Sequence, residues 1–253
     1  MAQRTLVAVA SHADDAEINA GGFMARWAAE GGAVHIVMVT NNCSGEIIQA
    51  DGDESKIHRL LPQQTTELRH REQQAAADVI GARVHHLGYC QRHFFNGKKI
   101  VRLDFQDVEA PEGIKGHPPL LIAFQQPPHI ARLADLLVSL KPDLVLTQTP
   151  LDFDPEHHAT ASMVWEAMRQ RPQLSKVPLK FWTPGTTCPG GMLDPGYDQI
   201  EDVTAWWETK LRLCACHASQ MTALRWKVVK DRAAEFGRKI GVRFAEPFKS
   251  AIR

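Results

Sequence analysis

Two short polar clusters stand directly behind apolar runs, and both are built from residue types that bind metals and move protons. In the first, the run Leu6 to Ala10 is followed by Ser11, His12, Ala13, Asp14, Asp15, Ala16 and Glu17. His12 and Asp15 lie three apart at an expected strand-to-helix turn, so both side chains can converge on one point in front of the helix. Zinc accepts imidazole nitrogen and carboxylate oxygen, and a catalytic zinc site combines three protein ligands with one position for water. Asp14, adjacent but pointing elsewhere, could take the proton from that water. A purely structural reading also fits: Asp14 or Asp15 caps the helix, with Glu17 completing a box-like pattern.

The second cluster, Leu151, Asp152, Phe153, Asp154, Pro155, Glu156, His157 and His158, follows the apolar run 143–148. Asp154 suits an N-cap, Pro155 the first helical position and Glu156 the positive end of the helix dipole. None of these roles accounts for His157. Strands of one open parallel sheet end along a common rim, where ligands bind. A histidine from this loop can therefore meet His12 and Asp15 across a long stretch of sequence, and the chemistry implied is that of a metal hydrolase.

The elements that must hold these clusters follow from hydrophobic periodicity. Strands are predicted at 5–10, 34–40, 84–87, 143–148 and 179–182, and helices at 16–30, 66–80, 129–140 and 155–169. Alternation of this kind predicts an α/β fold with a largely parallel sheet covered by helices on both faces. Gly31-Gly32 and Gly81 supply helix stops. Residues 41–63 and 94–128 read as long loops after strands, placed to wall or cover a pocket. From about residue 198 the chain turns helical, over 203–216 and 222–236. The whole of 1–253 is expected to form one domain.

Composition narrows the partners. A chain of 253 residues with 44% hydrophobic content can bury a large core, and 29 Lys plus Arg against 29 Asp plus Glu leave no global field for nucleic acid or an anionic membrane. A small molecule is the expected partner; homo-oligomerisation is left open. Five cysteines without a C-x-x-C pair read as reduced thiols. Cys214 and Cys216, with His217, make a poor soft-metal site because helical positions two apart diverge. The opening apolar run is too short for a signal peptide and nothing reaches membrane-spanning length, so a cytoplasmic location is expected. Gly21-Gly22 lacks the dinucleotide-binding pattern G-x-G-x-x-G. Trp182, Trp206 and Trp207 suit either stacking on a sugar or core packing, whereas His35, His85 and His86 read as ordinary strand residues.

The motifs carry a family resemblance. Ser11 to Glu17 resembles the (A/P)-H-P-D-D-x-E signature of the PIG-L/LmbE-like zinc-dependent N-deacetylases, and Asp154-Pro155-Glu156-His157 resembles their later H-P-D-H motif. Arg69 to Glu72 with the alanines after it, Leu87-Gly88-Tyr89, Lys210 with His217-Ala218-Ser219-Gln220, and Ala245 to Phe248 resemble further family elements in the same order. The resemblance implies a Rossmann-like fold that binds one divalent metal, usually Zn2+, and hydrolyses N-acyl groups, often N-acetyl on an amino sugar. By position it implies His12, Asp15 and His157 as metal ligands, Asp14 as general base and Arg69 near the substrate or its oxyanion. Asp14, His129, His158 or His217 would protonate the leaving amine.

Three departures accompany it. Ala13 replaces the usual proline, which should loosen the turn. Glu156 replaces an aspartate. Asp154 replaces a histidine that in the family stabilises the tetrahedral intermediate or supplies a proton; an ionised carboxylate cannot donate to an oxyanion, so the role is moved, lost, or filled by a protonated Asp154. An amidase of a larger conjugate, or a metal-retaining binding or regulatory protein with impaired turnover, are the alternatives this leaves.

Overall fold

The computed structural model describes residues 3–48, 58–103, 117–152, 154–182 and 196–251. Phe153, Cys188 and the middles of both expected long loops lie outside the described residues. The chain opens with the expected β-α-β unit: β1 is Thr5–Ala10, α1 Asp15–Ala29 and β2 Ala33–Thr40. Gly31 leaves the helix at φ 84, a left-handed conformation that glycine adopts without a Cβ clash. Next, α2 spans Pro62–Val79, beginning at a proline in its first turn rather than at Thr66, and β3 is Arg83–Cys90.

The region expected as a loop from 94 onward contains structure. β4 (His93–Phe95) pairs with β5 (Ile100–Arg102), and β6 (His117–Pro119) leads into a single turn, α3 (Leu120–Ala123). Then come α4 (Pro127–Leu140), β7 (Leu144–Gln148), α5 (Pro155–Arg169) and β8 (Leu179–Trp182). The last part adds β9 (Gln199–Asp202), α6 (Trp207–Ala215), α7 (Ala223–Ile240) and β10 (Ala245–Ser250). A 3-10 turn, Thr204–Trp206, precedes α6, so the expected helix over 203–216 begins late.

Eight strands form one sheet in the order β6-β3-β2-β1-β7-β8-β10-β9. Pairs from β6 through β8 are parallel, and β10 runs antiparallel to both β8 and β9. Side chains alternate across it. Val7, Val9, Val37, Val39 and Val145 face α4 and α5, whereas Leu6, Ala8, Ile36, Met38 and Leu146 face Phe23 and Met24 of α1. Burial on both faces explains why these strands read as unbroken apolar runs. Among the described residues no helix is long and apolar enough to cross a membrane.

The strand order fixes where ligands can enter. From β1 the chain steps outward through β2 and β3, then returns to place β7 on the other side of β1. This reversal opens a crevice at the carboxyl ends of β1 and β7, the general site of ligand binding in open α/β sheets. Both polar clusters sit there.

Buried ionic ties hold α1 against the later helices. Lys210 Nζ lies 2.5 Å from Glu246 Oε1 and donates to the carbonyl of Ile18, while Glu246 accepts from the amides of Gly22 and Phe23. The pair thus engages the carbonyl and the amide that form one rung of an α-helix. Glu72 accepts from the amide and hydroxyl of Ser219. Glu17, fully buried, accepts from Gln73 and faces His217 Nε2 at 3.4 Å.

Candidate active site

The turn after β1 is unusual. Asp14 has φ 101, outside the region that non-glycine residues normally occupy, and its side chain makes no cap bond to α1. The capping role therefore does not fall to Asp14. Nor does it fall to Asp15, whose Oδ2 accepts from the amide of His12, a residue ahead of the helix, at 2.8 Å. Ala13, in place of proline, keeps an amide hydrogen that donates to Asn42 Oδ1 at 2.8 Å. The turn is thereby tied to the end of β2 by a bond that proline cannot make.

Three donor atoms converge in front of α1. His12 Nδ1 lies 3.2 Å from His157 Nε2 and 3.5 Å from Asp15 Oδ2, and His157 Nε2 lies 3.3 Å from the same Asp15 oxygen. His12, Asp15 and His157 form the one cluster of this kind among the described residues. The outer ring nitrogens are committed: His12 Nε2 meets Glu156 Oε2 at 2.9 Å, and His157 Nδ1 meets Asp152 Oδ2 at 2.8 Å. A carboxylate only accepts, so each outer nitrogen carries the hydrogen and each inner nitrogen can present its lone pair. Such carboxylate-histidine pairs orient metal-binding imidazoles.

Electrostatics favour a cation at this point. Burial opposes a charged His12, yet Asp15 and Glu156 raise its pKa to about 10. Burial likewise opposes charge on His157, but Asp15 and Asp152 hold its pKa well above the usual value. Burial disfavours charge on Asp15 too; the two histidines overcome it and keep Asp15 below the ordinary carboxylate range. A cradle so acidic demands positive charge. Two nitrogens and a carboxylate oxygen, braced from behind, suit a divalent metal in both type and number.

Asp14 borders the same cavity of about 210 Å³. Its Oδ2 accepts from Arg225 at 2.8 Å and lies 3.5 Å from Arg69, whereas Oδ1 makes no hydrogen bond among the described residues. Arg69 is buried and also donates to the Ala13 carbonyl. Gly45 passes so close that a Cβ there would lie 3.2 Å from Arg69 Nη1. Asp154 acts as the N-cap of α5: its Oδ1 accepts from the Glu156 amide at 2.8 Å, and its Oδ2 faces Arg92. Burial would raise its pKa, but His12, His157 and the Glu156 amide lower it, so the protonated form is disfavoured.

The expected amine-protonating histidines do not line this cavity. His129 sits against the Tyr89 hydroxyl, His158 bonds to the Pro150 carbonyl, and His217 is fully buried beside Glu17. Trp182 does line it, while Trp207 stacks on Phe244 in the core. His35 pairs with His85, and His70 with His86, away from the site. The Cys214 thiol donates to the Glu17 carbonyl. Two lining residues, Arg225 and His93, were not singled out in sequence. Neither belongs to a motif, and only the packing of α7 and the β4–β5 ribbon brings them in.

Comparison with known proteins gives the family and the fold. The family described as PIG-L, GlcNAc-PI de-N-acetylase, matches residues 7–168. The chain belongs to this family. Its fold is shared with N,N'-diacetylchitobiose deacetylase from Pyrococcus horikoshii, at 20% identity over 98% of this chain and 84% of that one, TM-score 0.68. It is shared also with the A40926 pseudoaglycone deacetylase Dbv21, at 18% identity over 100% and 98%, TM-score 0.67. GalB, the 4-carboxy-2-hydroxymuconate hydratase from Pseudomonas putida, matches at 20% identity over 99% and 97%, TM-score 0.68. The expected family and α/β fold are thus borne out, and the same scaffold also carries hydratase chemistry.

Proposed function

We propose that this PIG-L family member is a metal-dependent hydrolase that removes an N-acyl group, N-acetyl in the simplest case, from an amino sugar or its conjugate. The observation that carries this reading is the convergence of His12 Nδ1, Asp15 Oδ2 and His157 Nε2 beside the open Oδ1 of Asp14. Zn2+ is the metal that best suits two imidazoles and one carboxylate. When bound, such an ion makes water nucleophilic near neutral pH and polarises an acyl carbonyl.

The residues divide the remaining work. Asp14 Oδ1 accepts the proton that water loses as its oxygen bonds to the carbonyl carbon. Arg225 and Arg69 hold the other oxygen and fix the plane of the carboxylate. As the C–N bond breaks, Asp14 returns the proton to the amine, so water and amide become a carboxylic acid and an amine, which leave as carboxylate and ammonium. Trp182 supplies an apolar wall to the cavity, and Asn19 and Gln220 supply polar ones. The reading as a binding protein with impaired turnover is not favoured, because Asp14 retains an open oxygen beside the ligand triangle.

Acetate release from N-acetylglucosamine and N,N'-diacetylchitobiose tests the proposal. Turnover should vanish with chelator and return with Zn2+. Absence of acetate from both sugars in protein loaded with one metal per chain would refute it.

A further inference from the structure

We infer that His93 donates a hydrogen bond to the substrate's acyl oxygen as that oxygen becomes an oxyanion. The inference rests on the hydrolase reading above and names a substrate-contacting residue for it. Attack on an amide places negative charge on the carbonyl oxygen, and donors aimed at that charge are among the largest contributors to such catalysis. The question is which pocket donor still has capacity.

His12 and His157 each give the outer N–H to a carboxylate, Glu156 and Asp152, and turn a lone pair inward. Arg69 spends Nη2 on the Ala13 carbonyl and Asp14, with its Nε buried, and Arg225 spends Nη1 on Asp14, although each guanidinium keeps further N–H groups. Asn19 donates to the Asp15 carbonyl, and Gln220 to Glu46 and Ser219. Asp154 is spent on the helix cap and Arg92.

His93 is different. It lines the same cavity, half-buried, and its ring makes no hydrogen bond among the described residues. Burial lowers its pKa, with Arg92 acting in the same direction and Glu156 opposing. The ring is therefore neutral at pH 7, with one N–H to give and little cost in holding it in an acidic pocket. Neutral imidazole serves as an electrophilic donor in known enzymes.

Position reinforces capacity. A second cavity of about 200 Å³, walled by Leu60, Phe94, Phe95 and Ile100, adjoins the first. Ser44, Gly45 and His93 border both cavities. A substrate that extends from the ligand triangle toward the second cavity passes this imidazole. The rivals are Gln91, whose Oε1 accepts from the Ser44 amide while its amide nitrogen can still donate, the Ser44 hydroxyl, and the remaining N–H groups of Arg69 and Arg225.

Two measurements on the full-length, Zn2+-loaded protein decide the matter. In kinetics on N,N'-diacetylchitobiose, His93→Ala should lower kcat by about 10²–10³, the usual loss for one oxyanion donor, with KM little changed. His93→Gln, which still donates, should recover part of the loss at unchanged Tm. Gln91→Ala should have a small effect. Separately, the His93 ring resonances of ¹⁵N-histidine-labelled protein, assigned through His93→Gln, should shift saturably as acetate is added. An unaltered kcat in His93→Ala, a loss carried by Gln91→Ala instead, or ring resonances that ignore acetate would each overturn the inference. A wild-type protein inactive on the sugars would sink the hydrolase reading, while the acetate titration would still decide His93.

Discussion

Glu156 Oε2 lies 2.9 Å from His12 Nε2, and the next residue in the chain is His157. One turn of α5 therefore supplies both a candidate ligand and the carboxylate that orients the other histidine. Glu156 is fixed in turn, since its Oε1 accepts from the Arg92 amide at 2.6 Å. Replacing Glu156 by Gln should weaken zinc binding about 10–100-fold while the fold persists, the range seen for outer partners of metal-binding histidines. Competition with a chromogenic chelator measures it. Unchanged affinity would mean that Glu156 is only a helix-start residue.

Removal of a ligand should be harsher. His12→Ala and His157→Ala are each expected to leave the protein largely metal-free after dialysis, with circular dichroism unchanged. Full metal occupancy in both variants would show that the triangle is not the metal site.

Asp14→Asn keeps the size of the side chain and its contact with Arg225, but an amide takes no proton from water. Metal content should stay at the wild-type level while hydrolysis falls by about 10²–10⁴, the usual contribution of a general base. Wild-type turnover by a metal-loaded Asp14→Asn protein would remove Asp14 from the mechanism.

How much of this was legible in the sequence depended on where each residue is held. His12, Asp15 and His157 follow strands buried on both faces, so the apolar runs announced the strands and the polar residues marked their ends. β10 was invisible because Ala245 to Ser250 carries Glu246 and Pro247 where an apolar alternation is looked for. Glu246 is buried, but against Lys210 rather than hydrocarbon. Arg225 and His93 reach the pocket only through the packing of α7 and of a ribbon three residues wide per strand, which no local pattern encodes. Asp14 in a left-handed conformation was equally hidden, since local preference argues against it.

A histidine midway along β3 sets an acid limit on stability. The His86 ring lies tilted against His70 with centroids 4.1 Å apart, and burial together with His70 and His85 lowers its pKa from 6.5 to about 4. The unfolded chain then binds a proton at higher pH than the folded one does. This pair should leave stability unaffected above pH 6.5 and erode it as pH falls from there to about 4. His86→Gln should flatten the decline of Tm across that window. A variant whose Tm follows the wild-type pH curve would assign the acid loss elsewhere.

Asp154 tests whether a departure from the family pattern is chemical or structural. Its Oδ1 caps α5 and its Oδ2 faces Arg92, and the surrounding histidines keep it ionised, so it has no hydrogen to give an oxyanion. Asn caps as well as Asp, so Asp154→Asn should preserve Tm to within the effect of the lost Arg92 pairing, which is half-exposed and weak. Turnover should change only a few-fold. Asp154→Ala, which removes the cap, should cost about 0.5–2 kcal/mol of stability. Asp154→His should lose the cap yet place an imidazole beside the triangle, and is expected to raise turnover on N-acetylglucosamine at reduced Tm. A large fall in kcat for Asp154→Asn at unchanged Tm would show instead that Asp154 takes part in the reaction.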